Sequence, residues 1–132
     1  MRANFGDVSN FLSFIGDADS CKQIPSASQM KDTEWSTWNC ILGFPVAGIW
    51  PEGADGTDIN AVDRSRDHKL VATADDFGRV NVFGWPCFHA KSYFNIAKGH
   101  SSHVTCVRFL SDNITVVSTG GKDTAIMQWN IV

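Results

Sequence analysis

The sequence predicts an all-β fold in which short strands build successive blades of a β-propeller. The segment from Gly99-His100 to Trp129 contains short apolar runs separated by polar turns. A related segment stands 45 to 46 residues earlier, where Ile59 aligns with Val104 and Phe83 aligns with Trp129. The runs are rich in β-branched and aromatic residues, and none is long enough for an ordinary helix. A repeat built from such runs indicates propeller blades.

The second copy of the repeat divides into three predicted strands. These are Val104–Phe109, Thr115–Thr119 and Ala125–Trp129. The stretches 111–113 and 120–123 lie between them and carry the Ser, Asn, Asp and Gly residues that are typical of turns. This copy therefore has the alternation of strands and turns that a blade requires.

The first copy divides in the same way. Its predicted strands are Ile59–Asp63, Lys69–Ala74, Arg79–Phe83 and a fourth, outer strand at Tyr93–Ala97. Thr73 of this copy aligns with Thr119 of the second copy. We place the one-residue change of period between the first and second strands, because a loop insertion there would produce it.

The first fifty-odd residues are less regular, and we interpret them as the tail of a preceding blade. The strands predicted there are Phe11–Ile15, Cys21–Ile24 and Trp35–Leu42. A turn is expected at 16–19 and a polar surface loop at 26–33. A glycine-rich connector at 51–56 then leads into the first clear repeat.

Four residues of the second copy are expected to form a buried hydrogen-bonded chain. They are His100, Thr119, Asp123 and Trp129. A Gly-His pair, a turn Asp and a strand Trp at this spacing are the marks of a WD-type repeat. A buried imidazole and a buried carboxylate are costly unless each finds a partner, so a complete network would hold its blade in one geometry. We expect this role to be structural.

The first copy departs from the same pattern. Ala54-Asp55 stands where the Gly-His pair would fall, and Phe83 replaces the Trp. The acidic pair Asp75-Asp76 lies earlier in its turn than Asp123 does. We therefore expect this blade to be held together by packing, without the full polar network.

The same residues offer two alternatives to this structural interpretation, a hydrolase triad and a zinc site. A hydrolase triad of Ser118, His100 and Asp123 would lack the Gly-x-Ser-x-Gly elbow of such enzymes. A zinc site could draw on nearby ligand types, but their spacing matches no common zinc module. Those ligand types are Cys87, His89, His100, His103 and Cys106. We expect no catalytic, cofactor-binding or metal site, and no enzyme activity.

Composition narrows the range of partners. The 132 residues are 43% apolar and carry a formal net charge of -3. Lys and Arg are not clustered as a nucleic-acid surface requires, and no apolar run approaches the roughly 20 residues that span a bilayer. The four cysteines lack the dense spacing of a secreted disulfide framework. We expect a cytoplasmic protein with reduced thiols and with neither nucleic acid nor membrane as a partner.

These observations predict a WD-repeat β-propeller fragment of about two and a half blades, not a closed ring. Residues 1–53 would form a partial preceding blade and connector, 54–98 a degenerate WD blade, and 99–132 a WD blade. The five Trp and nine Phe are expected to pack mainly between blades, with some facing protein partners. Because strand edges and inter-blade faces stay open, we expect the isolated chain to fold poorly, associate or depend on a partner.

Several motifs make the sequence resemble one family more than propellers in general. They are Trp35–Cys40, Gly48–Pro51, Thr57–Asn60, Ala74–Gly78 and Gly99–Thr105. From about Asn10 to the C-terminus, the chain resembles the echinoderm microtubule-associated protein-like family. The resemblance implies the closing blades of a tandem pair of atypical propellers, with tubulin as partner, a role in organising microtubules and a place on the cytoplasmic microtubule cytoskeleton. The alternative is a general WD-repeat adaptor that binds other proteins through its propeller surfaces.

Overall fold

The computed structural model describes residues 2–7, 12–17, 19–30, 32–90, 92 and 94–132. Within these ranges the chain forms three antiparallel sheets and two short 3-10 helices, and the sheets do not close into a ring. The prediction of an all-β, partial propeller is confirmed. No helix in the described ranges has the length and apolar character needed to cross a membrane.

The first sheet contains three strands in sequence order: β1 (Arg2–Asp7), β2 (Leu12–Asp17) and β3 (Lys22–Ile24). The prediction did not include β1. Strand β2 continues through Asp17, so the turn expected at 16–19 begins later than predicted, and Phe11 lies outside the described residues. The expected loop at 26–33 contains a 3-10 helix, η1 (Ala27–Met30), and buries Met30.

The strand predicted at Trp35–Leu42 is wrong. This segment has no strand pairing, and it leads into a second 3-10 helix, η2 (Phe44–Ile49), which was not predicted. Its aromatic content serves packing instead, because the ring of Trp38 meets those of Trp35 and Trp85 edge to face at centroid distances of 6.4 and 5.1 Å. Aromatic residues favour a strand only where a neighbouring backbone is free to pair with it.

Blade 1 is the four-stranded sheet of β4 (Ile59–Arg64), β5 (Leu70–Asp75), β6 (Arg79–Gly84) and β7 (Phe94–Lys98), in that spatial order. These strands agree with the predicted ones within a residue or so at each end, although Tyr93 lies outside the described residues. Strand β5 is buried from Val71 to Asp75 because both of its faces are covered. The run Val71-Ala72-Thr73-Ala74 supplies the small and β-branched side chains that such a central strand needs.

Blade 2 is the three-stranded sheet of β8 (Val104–Phe109), β9 (Thr115–Gly120) and β10 (Ile126–Asn130). Its first strand carries a register shift between Val104 and Cys106, and blade 1 carries the corresponding shift between Ile59 and Ala61. A bulge at the same place in both inner strands shows that the two copies share backbone geometry as well as sequence.

The strand registers place the one-residue insertion after the second strand of the blade, whereas the sequence predicted it before that strand. Val62 pairs with Thr73 in blade 1, and Val107 pairs with Ser118 in blade 2, so the first two strands keep an offset of 45. The third strands, which contain Phe83 and Trp129, are offset by 46. The extra residue therefore lies in the turn between β9 and β10.

Two apolar cores hold the blades. The first lies between one face of blade 1 and the segment around η2, and its buried members are Trp38, Val46, Ile49, Ile59, Val62, Val71, Phe83 and Cys87. The second lies between blades 1 and 2, and its buried members are Ala72, Ala74, Val80, Val104, Val107 and Val116. The small residues of β5 let blade 2 approach closely, since neighbouring sheets pack face to face through interlocking side chains.

Polar contacts close one end of the interface between the blades. The Asp63 carboxylate accepts the backbone N–H of Phe109 at 2.7 Å. The side-chain oxygen of Asn113 accepts the backbone N–H groups of Arg66 and Asp67 at 2.7 and 3.2 Å. Each turn at this end is thus bonded to the neighbouring blade.

A second set of polar contacts closes the other end. The Asn60 amide donates to the Val104 carbonyl at 3.0 Å and to the Asp76 carboxylate at 2.7 Å. The same carboxylate oxygen lies 2.9 Å from Nδ1 of His103. Gly78 has a φ of +75°, and a Cβ there would overlap the carbonyl oxygen of His100. The Asp-Asp-Phe-Gly motif therefore sets how closely the second blade approaches the first.

We expect Asn113→Ala to destabilise the chain more than Asn113→Gly. Both variants lose the two inter-blade hydrogen bonds, but Asn113 has a φ of 60°, a conformation that costs alanine about 1–2 kcal/mol and glycine very little. Urea unfolding should therefore show Asn113→Ala to be less stable than Asn113→Gly by about 1 kcal/mol. Equal stabilities would contradict the role of backbone conformation at this turn.

Candidate functional site

The most developed polar site described in blade 2 is a chain of three hydrogen bonds around Ser118. His100 Nε2 lies 2.8 Å from the Ser118 hydroxyl, and His100 Nδ1 lies 2.8 Å from the Asp123 carboxylate. The indole N–H of Trp129 donates to the same hydroxyl at 2.8 Å. His100, Asp123 and Trp129 therefore lie in one network, as the sequence suggested.

Thr119 is not part of this network, and this is a correction to the expected set. Its hydroxyl lies 3.1 Å from that of Thr105, on the opposite face of β9 from Ser118. Side chains alternate between the two faces of a strand, so a shift of one residue changes the face completely. The alignment chose Thr119 because it placed the insertion before β9. With the insertion after β9, Ser118 corresponds to Thr73 of blade 1.

Glycines make room for the chain of hydrogen bonds. A Cβ on Gly120 would overlap the Asp123 carboxylate, and a Cβ on Gly99 would lie 2.8 Å from the Trp129 ring. Asp123 also accepts the backbone N–H of Ser101 at 3.1 Å. The turn at 120–123 thus places the Asp123 carboxylate against the loop that contains Gly99 and His100.

Hydrogen bonding controls the charge of Asp123. Burial acts to raise the pKa of Asp123, but the hydrogen bonds from His100 and from the backbone N–H groups of Ala125 and Ser101 outweigh it. The pKa of Asp123 therefore lies below its usual value of 3.8. The network holds an ionised carboxylate in the folded state.

The order Asp123, His100, Ser118 is that of a hydrolase triad, but the surroundings differ from those of an active site. The side chain of His100 is 0% exposed, and Ser118 is 1% exposed at the interface between the blades. The Ser118 hydroxyl already accepts the Trp129 N–H. A nucleophile must reach its substrate, and this hydroxyl is closed off by the packed blades.

Blade 1 lacks the His, Ser and Trp of blade 2, but it adds a different polar network to the packing that the sequence predicted. The Asp75 carboxylate accepts the backbone N–H groups of Phe77 and Arg79, each at 2.9 Å. It also accepts Nε of Arg79 at 2.7 Å and the Asn81 amide at 3.2 Å. The Asn81 amide lies 3.4 Å from the Thr73 hydroxyl. These side chains replace the His, Ser and Trp of blade 2.

Both networks place a carboxylate at the end of the second strand of the blade, but the carboxylate comes from a different sequence position in each. By strand register, Asp75 corresponds to Gly120, so blade 1 places its carboxylate on the strand itself. Blade 2 has glycine at that position, and the carboxylate of Asp123 reaches the same space from the turn. The signal that could have identified the blade 1 network is the pair Asp75 and Arg79, four residues apart across a tight turn that ends in Gly78.

The five candidate zinc ligands are dispersed, and no group of three or more potential metal ligands occurs in the described part of the chain. Cys87 is buried in the first core, where burial raises the pKa of its thiol. His89 is exposed, and His103 pairs with Asp76. His100 is engaged with Ser118 and Asp123, while Cys106 lies partly buried on β8.

Some aromatic side chains face outward. Phe77 is 63% exposed, and the guanidinium of Arg79 lies 4.8 Å from the centre of its ring. Phe44, Phe88 and Phe94 are also exposed, whereas Trp38 and Phe83 are buried. These exposed rings are available for contact with another protein surface.

We expect Ser118→Ala to destabilise the chain by about 1–3 kcal/mol, because it leaves the half-buried Trp129 N–H and one nitrogen of the buried His100 ring without a partner. Thr119→Ala is the matched control, since it removes a hydroxyl from the neighbouring residue on the more open face. Its expected cost is below about 0.5 kcal/mol. Denaturant titration of the two variants measures the difference, and equal losses would disprove the central position of Ser118.

The stability of the chain should fall in acid through Asp123. A carboxyl whose pKa is lower in the folded state stabilises folding above its unfolded pKa, and this contribution is lost as the pH falls through the folded pKa. We expect the free energy of unfolding to decrease below pH 3.8, and to decrease less in Asp123→Asn. Denaturant titrations at several pH values would test this expectation. A variant that loses stability as steeply as the parent chain would contradict it.

Comparison with known proteins shows which family the chain belongs to. The family described as "Echinoderm microtubule-associated protein second beta-propeller" matches residues 6–131. Human "Echinoderm microtubule-associated protein-like 2" is 55% identical over 96% of this chain and 20% of its own length. The "77 kDa echinoderm microtubule-associated protein" of Lytechinus variegatus is 46% identical over 100% of this chain and 19% of its own length. The chain thus spans about one fifth of these relatives. With the matched propeller region and its two blades, the chain belongs to the echinoderm microtubule-associated protein family.

Proposed function

We propose that this chain is a non-enzymatic scaffold whose role is in binding tubulin and organising microtubules. It would act in the cytoplasm, on the microtubule cytoskeleton. The single observation that carries the proposal is the match of residues 6–131 to a propeller of microtubule-associated proteins. Relatives with that name share 46% to 55% of their aligned residues with this chain.

The geometry of the blades supports a scaffold. Their polar networks lie inside the sheets, where the carboxylates of Asp75 and Asp123 accept backbone N–H groups of the turns. His100 and Ser118 have little contact with solvent. The turns and the exposed aromatic rings face outward. We infer that the network of His100, Ser118, Asp123 and Trp129 orders blade 2 and does no chemistry on a bound molecule.

We propose a division of the chain at the connector and at the Gly-His pair. Residues 1–53 would be a partial preceding blade and connector, 54–98 one WD blade and 99–132 the next. This division is supported by the sheets, because β4–β7 lie within 54–98 and β8–β10 within 99–132. The first unit contains the three-stranded sheet and η2.

A general protein-interaction adaptor is the second candidate, and the charge of the chain favours it. A net charge of -3 gives no long-range attraction toward an acidic polymer such as the microtubule lattice. Exposed Phe44, Phe77 and Phe88 could instead contact a neutral protein surface. In that case the chain would bind its partner without microtubules.

Co-pelleting with microtubules separates the two candidates. The sharpest design places this chain in human echinoderm microtubule-associated protein-like 2, in exchange for the matching segment, and compares the chimera with the unaltered protein and with a segment deletion. We expect the chimera to pellet like the unaltered protein, with binding that weakens as salt rises, and the deletion to pellet less. A folded chimera that stays in the supernatant while the unaltered protein pellets would overturn the microtubule function.

A further inference from the structure

Strand β7 forms the open outer edge of blade 1. It pairs with β6 on one side, and no residue that the structure describes pairs with its other side. The hydrogen bond from the Trp85 N–H to the Lys69 carbonyl fixes which backbone groups of β6 face β5. Followed through the strand registers, it leaves the backbone N–H and C=O groups of Phe94, Ile96 and Lys98 pointing away from β6. These three residues therefore present a row of unpaired donors and acceptors to solvent.

The side chains of β7 make this edge apolar and regular. Phe94 is 40% exposed and Ile96 is 46% exposed, and the two lie on the same face of the strand. The Phe94 ring stacks on that of Phe83 at a centroid distance of 4.8 Å, so it is held in place before any partner arrives. The strand contains no proline, no acidic residue and no register shift. An edge with these properties is open to pairing with another strand.

The other edges of the two blades are less suited to meet a second sheet. The inner strands β4 and β8 carry bulges, which disfavour such pairing. Blade 1 has four strands and blade 2 has three, so β7 extends beyond β10. A cavity of about 220 Å³ beside β10 is lined by Asn95 and Ala97 of β7 as well as by Trp129 and Ile131. A sheet that approached β10 would have to enter beneath β7, whereas no described strand lies outside β7 itself.

We propose that β7 pairs antiparallel with β7 of a second copy of this chain, about a two-fold axis at Ile96. The blade 1 sheets of the two copies would join edge to edge into one continuous sheet. In this register Phe94 of each copy lies opposite Lys98 of the other, and Asn95 lies opposite Ala97. The same five residues serve both copies, as a closed two-fold interface requires. This inference goes beyond the proposed function, because it concerns the association of the chain with itself and involves no tubulin.

The charges of the edge favour this antiparallel register. Lys98 is the only charged residue of β7, and the neighbouring cation on β6, Arg79, is already paired with Asp75. The two Lys98 side chains would stand about 14 Å apart along the paired strands, which exceeds the Debye length of about 8 Å at physiological ionic strength. Each would lie beside the Phe94 ring of the other copy, where a cation–π contact is favourable. A parallel pairing in register would instead bring the two Lys98 side chains together.

The test is sedimentation equilibrium of the 132-residue chain over a range of concentrations. Five residues from each copy bury less than the roughly 1,200 Å² of a stable complex, so we expect mainly monomer at about 5 µM and mainly dimer at about 500 µM. Ile96→Lys places like charges at the two-fold axis and should raise the dissociation constant of the dimer by about fivefold or more. Ile126→Lys is the matched control, because Ile126 is an isoleucine of β10 that is 76% exposed. It should change the dissociation constant by less than about twofold.

An engineered disulfide tests the register, and it gives an answer even where the lysine variant does not fold. Opposed residues of a hydrogen-bonded antiparallel pair have Cα atoms about 5.5 Å apart, a distance that a disulfide can span. In a chain that carries Cys21→Ser, which removes an exposed thiol, Ile96→Cys should give a linked dimer under mild oxidation and Ile126→Cys should not. A chain that stays monomeric at about 500 µM, equal effects of the two lysine changes, or equal cross-linking of the two cysteine variants would overturn the proposal. None of these measurements needs microtubules, so their failure is separate from that of the proposed function.

Discussion

The packing of one sheet against another constrains the rest of this structure. Ala72, Ala74 and Val80 of blade 1 meet Val104, Val107 and Val116 of blade 2, and all six are almost fully buried. Neither sheet could bury these side chains alone, as is general for repeat proteins whose stability resides in contacts between neighbouring units. Hydrogen bonds at both ends of the interface tie each turn to the other blade. The inner strands carry matching bulges, so the shared face and the turns are positioned together.

The two blades show that a fold can meet one physical demand with different residues. Each blade buries a carboxylate beneath the turn between its second and third strands, and the turn's backbone N–H groups bond to it. Blade 2 then links that carboxylate to Trp129 through His100 and Ser118. Blade 1 has no such histidine, and Arg79 and Asn81 satisfy Asp75 directly. Both blades keep a buried carboxylate that accepts several hydrogen bonds. The WD-type motif recognises only the version in blade 2, in which His, Ser and Trp take part.

The buried hydrogen-bonded side chains of these blades are separate from the side chains that face solvent. The hydrogen-bonded chain around Ser118 is buried at the interface between the blades. The groups that face solvent are of another kind and include the aromatic rings of Phe44, Phe77 and Phe88. A fixed interior lets surface groups keep their relative positions when a partner binds.

The sequence by itself determined the strand class, the repeat and most strand boundaries, because alternating β-branched runs and turn residues are local signals. It also determined that His100, Asp123 and Trp129 belong to one site, since their spacing within the repeat is distinctive. Only the tertiary structure decided that Ser118 replaces Thr119, because the strand face depends on where one inserted residue is accommodated. It likewise decided that Trp35–Leu42 packs without pairing and that Asp75 organises blade 1. Strand-pairing partners and buried hydrogen-bond acceptors come from distant parts of the chain, so a local sequence pattern cannot predict them.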